Sequence, residues 1–112
     1  MSGAEAAAVG KDPTRIFAAL ADPTRLALLR RLSGGGSRSI AALAADTALT
    51  RQAVTKHLGV LARAGLVHRR PAGRRTLFAY RPERVAEARD WLDQVAAQWD
   101  DALSRLKAHV EG

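Results

Sequence analysis

The chain has 112 residues, 47% of them hydrophobic, which suits one domain with a modest core and excludes a disordered chain. It has no cysteine, so disulfides, thiolate metal sites and thiol redox chemistry are excluded. The net charge is +7, and no apolar run approaches the ~18 residues of a membrane span.

Much of the hydrophobic fraction is alanine. A small core short of bulky side chains often needs a second subunit to complete it. Arginine outnumbers lysine 15 to 3, which a GC-rich genome alone would produce, so the placement of charge says more than its kind. Residues 1–50 hold six basic and four acidic side chains, and residues 82–112 hold four basic and seven acidic ones. Between them, residues 51–81 hold eight basic side chains (Arg51, Lys56, Arg63, Arg69, Arg70, Arg74, Arg75, Arg81) and no acid. A solvated face normally mixes both signs, so this window marks a surface for a polyanion. Nucleic acid is the usual polyanion at this size, and an anionic membrane surface is the competitor.

In chain order, "MSGAEAAAVG" lacks the basic start and apolar stretch of a signal peptide, and residues 1–11 read as a flexible arm ahead of a domain at 12–112. With the missing cysteine, this fits an intracellular protein. Asp-Pro-Thr-Arg then occurs twice, at Asp12–Arg15 and Asp22–Arg25. Each copy predicts a helix start, with aspartate capping free N–H groups and proline at the first helical position. The helices are expected at 13–21, offering Ile16, Phe17 and Leu20, and at 23–33, offering Leu26, Leu28, Leu29 and Leu32. Gly34, Gly35 and Gly36 end the second and read as a linker.

"SRSIAALAADTALTRQAVTKHLGVLARAG" reads as two helices joined by a tight turn. The first covers 39–46, with Ile40 and Leu43 inward. Thr50 is a good N-cap for the second, which runs to about Ala64 before Gly65. Val54, Leu58 and Leu61 share one face of it, and Arg51, Gln52, Thr55, Lys56 and Arg63 the other. A helix, a short turn and an amphipathic second helix form a helix-turn-helix. Leu66–Arg70 and Arg75–Tyr80 then predict two strands around "PAGR", with Pro71 and Gly73 in the turn. Adjacent Leu77 and Phe78 must lie on opposite faces, so only one can enter a core. Pro82 opens a last helix reaching about 110. There Leu92, Val95, Trp99, Ala102 and Leu106 have the 3-4-3-4 spacing of a helix–helix seam.

The second helix of a helix-turn-helix enters the DNA major groove and presents residues near its N-terminus to base edges. Arginine can bridge guanine O6 and N7, and glutamine can pair with adenine N6 and N7. Thr50, Arg51, Gln52, Thr55, Lys56 and His57 are the candidate DNA-binding residues of this helix. Arg69, Arg70, Arg74 and Arg75 on the hairpin suit phosphate or a minor groove. His57 fits either a phosphate contact or helix packing. Gly59 inside the helix costs ~1 kcal/mol relative to alanine and allows either close packing or close approach to DNA. No histidine pair has helical metal-site spacing; His109 and Glu111 with a partner's aspartate are the one conceivable intersubunit set. No catalytic motif is present, and neither an enzyme nor a cofactor is expected.

"ALADPTRLALLRRL" and "SIAALAADTALTRQAVTKHLGVLARAGLVHRRPAGRRTLFAYR" resemble the ArsR-type (ArsR/SmtB) winged helix-turn-helix repressors of bacteria and archaea, over about residues 13–110. The resemblance implies a mainly α fold: four helices, a small two-stranded wing, then a fifth helix. It implies a homodimer through the first and last helices, placing Ile16, Phe17, Leu20, Trp91, Leu92, Val95, Trp99, Ala102 and Leu106 at the interface. The expected function is sequence-specific repression from a near-palindromic double-stranded DNA operator, in the bacterial cytoplasm and on the nucleoid when DNA is bound. Many members of the family sense metals. This chain has "SIAALAADT" where their cysteines stand and only His109 on the last helix, so it looks like the branch without recognised metal sites, its effector unknown. A His/carboxylate metal sensor and a protein-interaction module acting through the last helix are the alternatives.

Overall fold

The computed structural model describes residues 12–112, and the arm expected at 1–11 lies outside them. The elements in order are α1 (Thr14–Leu20), α2 (Pro23–Ser33), β1 (Ser37–Ser39), α3 (Ile40–Ala45), α4 (Arg51–Arg63), β2 (Val67–Ala72), β3 (Arg75–Tyr80) and α5 (Pro82–Glu111).

Local chemistry sets most of these boundaries. Asp22 Oδ2 accepts from the Arg25 N–H at 2.9 Å, and Pro23 sits in the first turn of α2, where a missing N–H costs nothing. The first Asp-Pro-Thr-Arg copy differs slightly. Asp12 Oδ1 accepts from the Thr14 N–H and hydroxyl at 3.0 and 2.6 Å, and Pro13 falls just ahead of α1. Ser39 and Thr50 cap α3 and α4 by accepting from Ala42 N at 3.1 Å and Ala53 N at 3.0 Å. At the far end of α4 the Gly65 N–H donates to Ala62 O and the Leu66 N–H to Leu61 O, both at 3.0 Å. This Schellman closure needs left-handed backbone after the C-cap, and Gly65 supplies it with φ +78°.

Two arginines tie helix ends together. Arg25 Nε and Nη2 donate to the Ala19 and Ala18 carbonyls that end α1, at 2.6 and 3.3 Å. Arg31 Nη1 donates to Leu43 O at 2.9 Å, and its Nη2 pairs with Asp46 at 2.7 Å, fixing α2 to the end of α3.

The wing is larger than the hairpin expected. Ser37–Ser39 forms a third strand, and the antiparallel sheet has the order β1-β3-β2. Three residues between a glycine linker and a helix start carry no alternation to read, so tertiary pairing creates this strand. Pro71 is also not in the turn; it pairs with Thr76 inside β2. An edge strand tolerates proline because one row of its N–H groups has no partner to lose. The turn is Gly73-Arg74, with Gly73 at φ +63°. A glycine with positive φ at the first of two loop positions is what a tight hairpin of this length requires.

The core gathers Ile16, Leu28, Leu29, Leu32, Leu43, Val54, Leu58, Leu61, Leu66, Val67, Phe78 and Ala88. Phe78 is the buried member of the Leu77–Phe78 pair. Ile16, expected at an intersubunit surface, is instead 2% exposed and belongs to the chain's own core. Helix α5 behaves otherwise. It has 30 residues, about 45 Å of helix, and only Ala88 of it is buried. The radius of gyration is 18.7 Å, against about 13 Å for a compact domain of this length.

Candidate nucleic-acid interface

Helix α4 divides as its sequence predicts. Val54, Leu58 and Leu61 are fully buried, while Thr50, Arg51, Gln52, Thr55, Lys56 and Arg63 are exposed. Thr55 donates its hydroxyl to Arg51 O at 2.7 Å, so what it turns outward is a methyl group and acceptor lone pairs. Thr50, Gln52, Thr55 and Lys56, with Ala53, border one shallow concavity on the first two turns.

A second concavity joins this helix to the wing. It is lined by Arg51 and Thr55 from α4, Arg74, Arg75 and Thr76 from the hairpin, and Ser39, Ile40 and Ala41 from the start of α3. The sequence indicated the helix and the wing separately but not this third wall, since β1 is what brings Ser39 beside β3.

The four wing arginines do not act as one cluster. Cross-strand partners share a face and neighbours alternate. Arg70 opposes Leu77 and Ala72 opposes Arg75, so Arg70 and Arg75 lie on the outer face. Arg69 opposes Phe78 on the inner face, with its guanidinium 5.8 Å from the ring centroid, a cation–π contact. Arg74 stands in the turn itself.

His57 is placed differently from its neighbours on α4. Its side chain is about three-quarters covered, with Nδ1 3.9 Å from Asp22 Oδ2. The Arg25 N–H bond to Asp22 holds that carboxyl below its ordinary pKa; burial opposes this, and the charges of Arg25 and His57 add to it. His57 thus faces the cap of α2.

The charge environment is one-sided. Among the described residues, Arg51, Lys56, Arg69, Arg70, Arg74 and Arg75 take part in no salt bridge. Elsewhere Arg31 pairs with Asp46, Arg84 with Glu87, Arg105 with Asp101, and Lys107 with Glu111. Unneutralised guanidinium groups on a convex helix and an adjoining ribbon are the arrangement that releases counterions from a polyanion.

Comparisons with known proteins agree with this geometry. Residues 20–70 match a family described as a helix-turn-helix domain. The chain is 40% identical over 94 residues to the HTH-type transcriptional regulator Rv2034 of Mycobacterium tuberculosis, covering 84% of each. Its fold matches the ArsR-like transcriptional regulator from Rhodococcus sp. RHA1 with a TM-score of 0.78 at 30% identity, covering 90% of this chain and 93% of that one. The chain belongs to the ArsR family. It is a DNA-binding transcriptional regulator of the winged helix-turn-helix class. Another similar structure is the homodimeric winged helix-turn-helix DNA-binding domain of Mb0332 from Mycobacterium bovis, with TM-score 0.65, 30% identity, and 88% and 89% of the two chains covered.

For this ArsR-family regulator, the described residues hold no group of three or more His, Cys, Asp or Glu side chains placed for a metal ion. His109 is the single imidazole of α5, and Glu111 beside it pairs with Lys107 at 3.9 Å. No described helix is long and apolar enough to cross a membrane.

Proposed function

We propose that this chain is a homodimeric, sequence-specific repressor working in the cytoplasm on a near-palindromic operator. The observation that carries this is the salt-bridge-free basic face on which Arg51 and Thr55 of α4 meet Arg74 and Arg75 of the wing. Arg51 and Gln52 supply bidentate donors to base edges, and the Thr55 methyl suits a thymine methyl. Thr50 and Lys56, with Arg70, Arg74 and Arg75, hold the backbone phosphates and set the register. Arg69, stacked on Phe78, acts by stiffening the wing, and His57 acts by orienting α4 from Asp22.

The dimer follows from α5 and from the state of the Mb0332 domain. Trp91, Leu92, Trp99 and Leu106 lie exposed along a helix that its own domain covers only near one end. Phe17 meets Trp91 edge-on at 5.6 Å, and Leu20, Val95 and Ala102 are half-buried, so α1 and α5 together offer one apolar surface to a second copy. Two α4 helices spaced by one turn of DNA, about 34 Å, then read two half-sites. Occupancy of such a site at a promoter excludes RNA polymerase.

Selection of bound fragments from genomic DNA, followed by anisotropy titrations on the recovered site and on random DNA, tests this. Recovered sites should share an inverted repeat with half-sites about one helical turn apart, and affinity should fall steeply with salt. Equal affinity for recovered and random DNA at all salt concentrations would sink the operator reading.

A further inference from the structure

A cleft of about 690 Å³ lies between α1, the end of α4 and the start of α5. Its walls carry Arg15, Arg63 and Arg84, one from each helix, and its apolar lining includes Ile16, Ala18 and Ala62. Clefts of this size with a few convergent polar groups are the usual form of a small-molecule site. Among its lining residues the one carboxylate is Asp12, whose Oδ1 already accepts two hydrogen bonds from Thr14. Arg84, paired with Glu87 at 3.4 Å, folds its stem over Gly65, where an added Cβ would stand 3.0 Å from its Cγ. Arg63 suits the negative end of α4, but that role does not bring two more guanidinium groups to the same cleft.

We propose that this cleft binds a small organic carboxylate, with its anionic end held by Arg15 and Arg63 and its apolar body against Ala18 and Ala62. Guanidinium forks match a carboxylate bidentately, and the alanines leave room for a short aliphatic or aromatic body. DNA is not the occupant. Arg63 is twelve residues beyond Arg51 along α4, about 18 Å from the operator-reading end. A second copy of the chain leaves the cleft open, since at 100° per residue Arg15 and Ala18 lie on the side of α1 turned away from Phe17 and Leu20.

Amide NMR of the 112-residue protein, titrated with benzoate, hexanoate, benzamide and inorganic phosphate, tests the site. At least one carboxylate should shift the resonances of Arg15, Ala62 and Gly65 and saturate at millimolar concentration or below. Benzamide, with the same shape and no charge, should leave them in place. Arg15→Gln with Arg63→Gln should weaken the carboxylate at least tenfold while the thermal midpoint stays near that of the wild type. The benzoate–benzamide contrast stands even where that variant fails to fold. The proposal is overturned if neither carboxylate moves these resonances, if benzamide matches benzoate, or if phosphate binds as tightly as the carboxylates, which would mark an inorganic-anion site. Operator affinity of the ligand-free protein bears on the repressor reading alone, so the two can fail separately.

Discussion

At the scale of single residues, the proposed interface separates reading from holding. Arg51 stands at the start of α4 with its guanidinium outside any salt bridge, whereas Arg74 and Arg75 stand at the hairpin tip. Arg51→Ala should cost about 1–3 kcal/mol on the operator and relax preference at one base position per half-site. Arg74→Ala with Arg75→Ala removes four cations per dimer. It should weaken operator and random DNA alike and flatten the log–log salt slope by up to about 4. Unchanged binding of both DNAs by the double variant would show that the wing does not touch phosphate. Gly59 is settled more locally. A Cβ there would meet only Arg63 Nη1, at 3.5 Å, an ordinary contact with a flexible side chain. Gly59→Ala should therefore stabilise the fold by up to about 1 kcal/mol and raise the thermal midpoint by a few degrees. A rise in stability with a loss of operator affinity would instead mean that the DNA backbone passes close to this position.

At the scale of elements, caps decide where α2 and α4 begin. Asp22 is the informative one, because it caps α2 and also receives His57 from α4. Its carboxyl titrates below its ordinary value in the folded chain. A depressed acid contributes stability that is complete above the unfolded pKa and is lost as pH falls through the folded one. Thermal midpoints should thus drop on acidification below pH ~4. Asp22→Asn, which keeps an oxygen for the Arg25 N–H, should lower stability at neutral pH and flatten that acid limb. An acid limb identical to that of the wild type would assign the loss to other carboxylates. Thr50 is the equivalent point on α4; Thr50→Ala should cost about 1 kcal/mol by chemical denaturation, since it leaves the Ala53 N–H without its acceptor.

At the scale of the whole molecule, the question is what covers α5. A single chain leaves Trp99 65% exposed and Leu103, Leu106 and Val110 at least as open as half, along one long helix. Contiguous apolar surface of this kind marks an association site. Trp99→Glu should cost the isolated fold little, since Trp99 is exposed and stands outside the core cluster, but it places a charge in the seam. Sedimentation should show the wild type as a dimer and the variant as a monomer with unchanged helical circular dichroism, and operator affinity should fall at least a hundredfold as the two half-sites uncouple. A Trp99→Glu variant that remains dimeric would move the interface away from this seam.

What the sequence by itself determined is everything that depends on near neighbours. The helix limits at Pro23, Gly34, Thr50, Gly65 and Pro82 follow from capping and backbone freedom. The two faces of α4 follow from its 3.6-residue period, and the choice of Phe78 or Leu77 from strand alternation. The acid-free window at residues 51–81 sets the basic surface. Only the tertiary structure decided which distant segments meet. It paired Ser37–Ser39 with β3, kept Pro71 inside an edge strand, and drew Ile16 into the core while leaving Trp99 outside. It also turned His57 toward Asp22, set Arg69 over Phe78 on the inner face of the wing, and brought Arg15, Arg63 and Arg84 to one cleft. A residue's period or cap is set by the few bonds around it. Which face it presents to a segment twenty or more residues away depends on how the elements pack, and no local pattern encodes that.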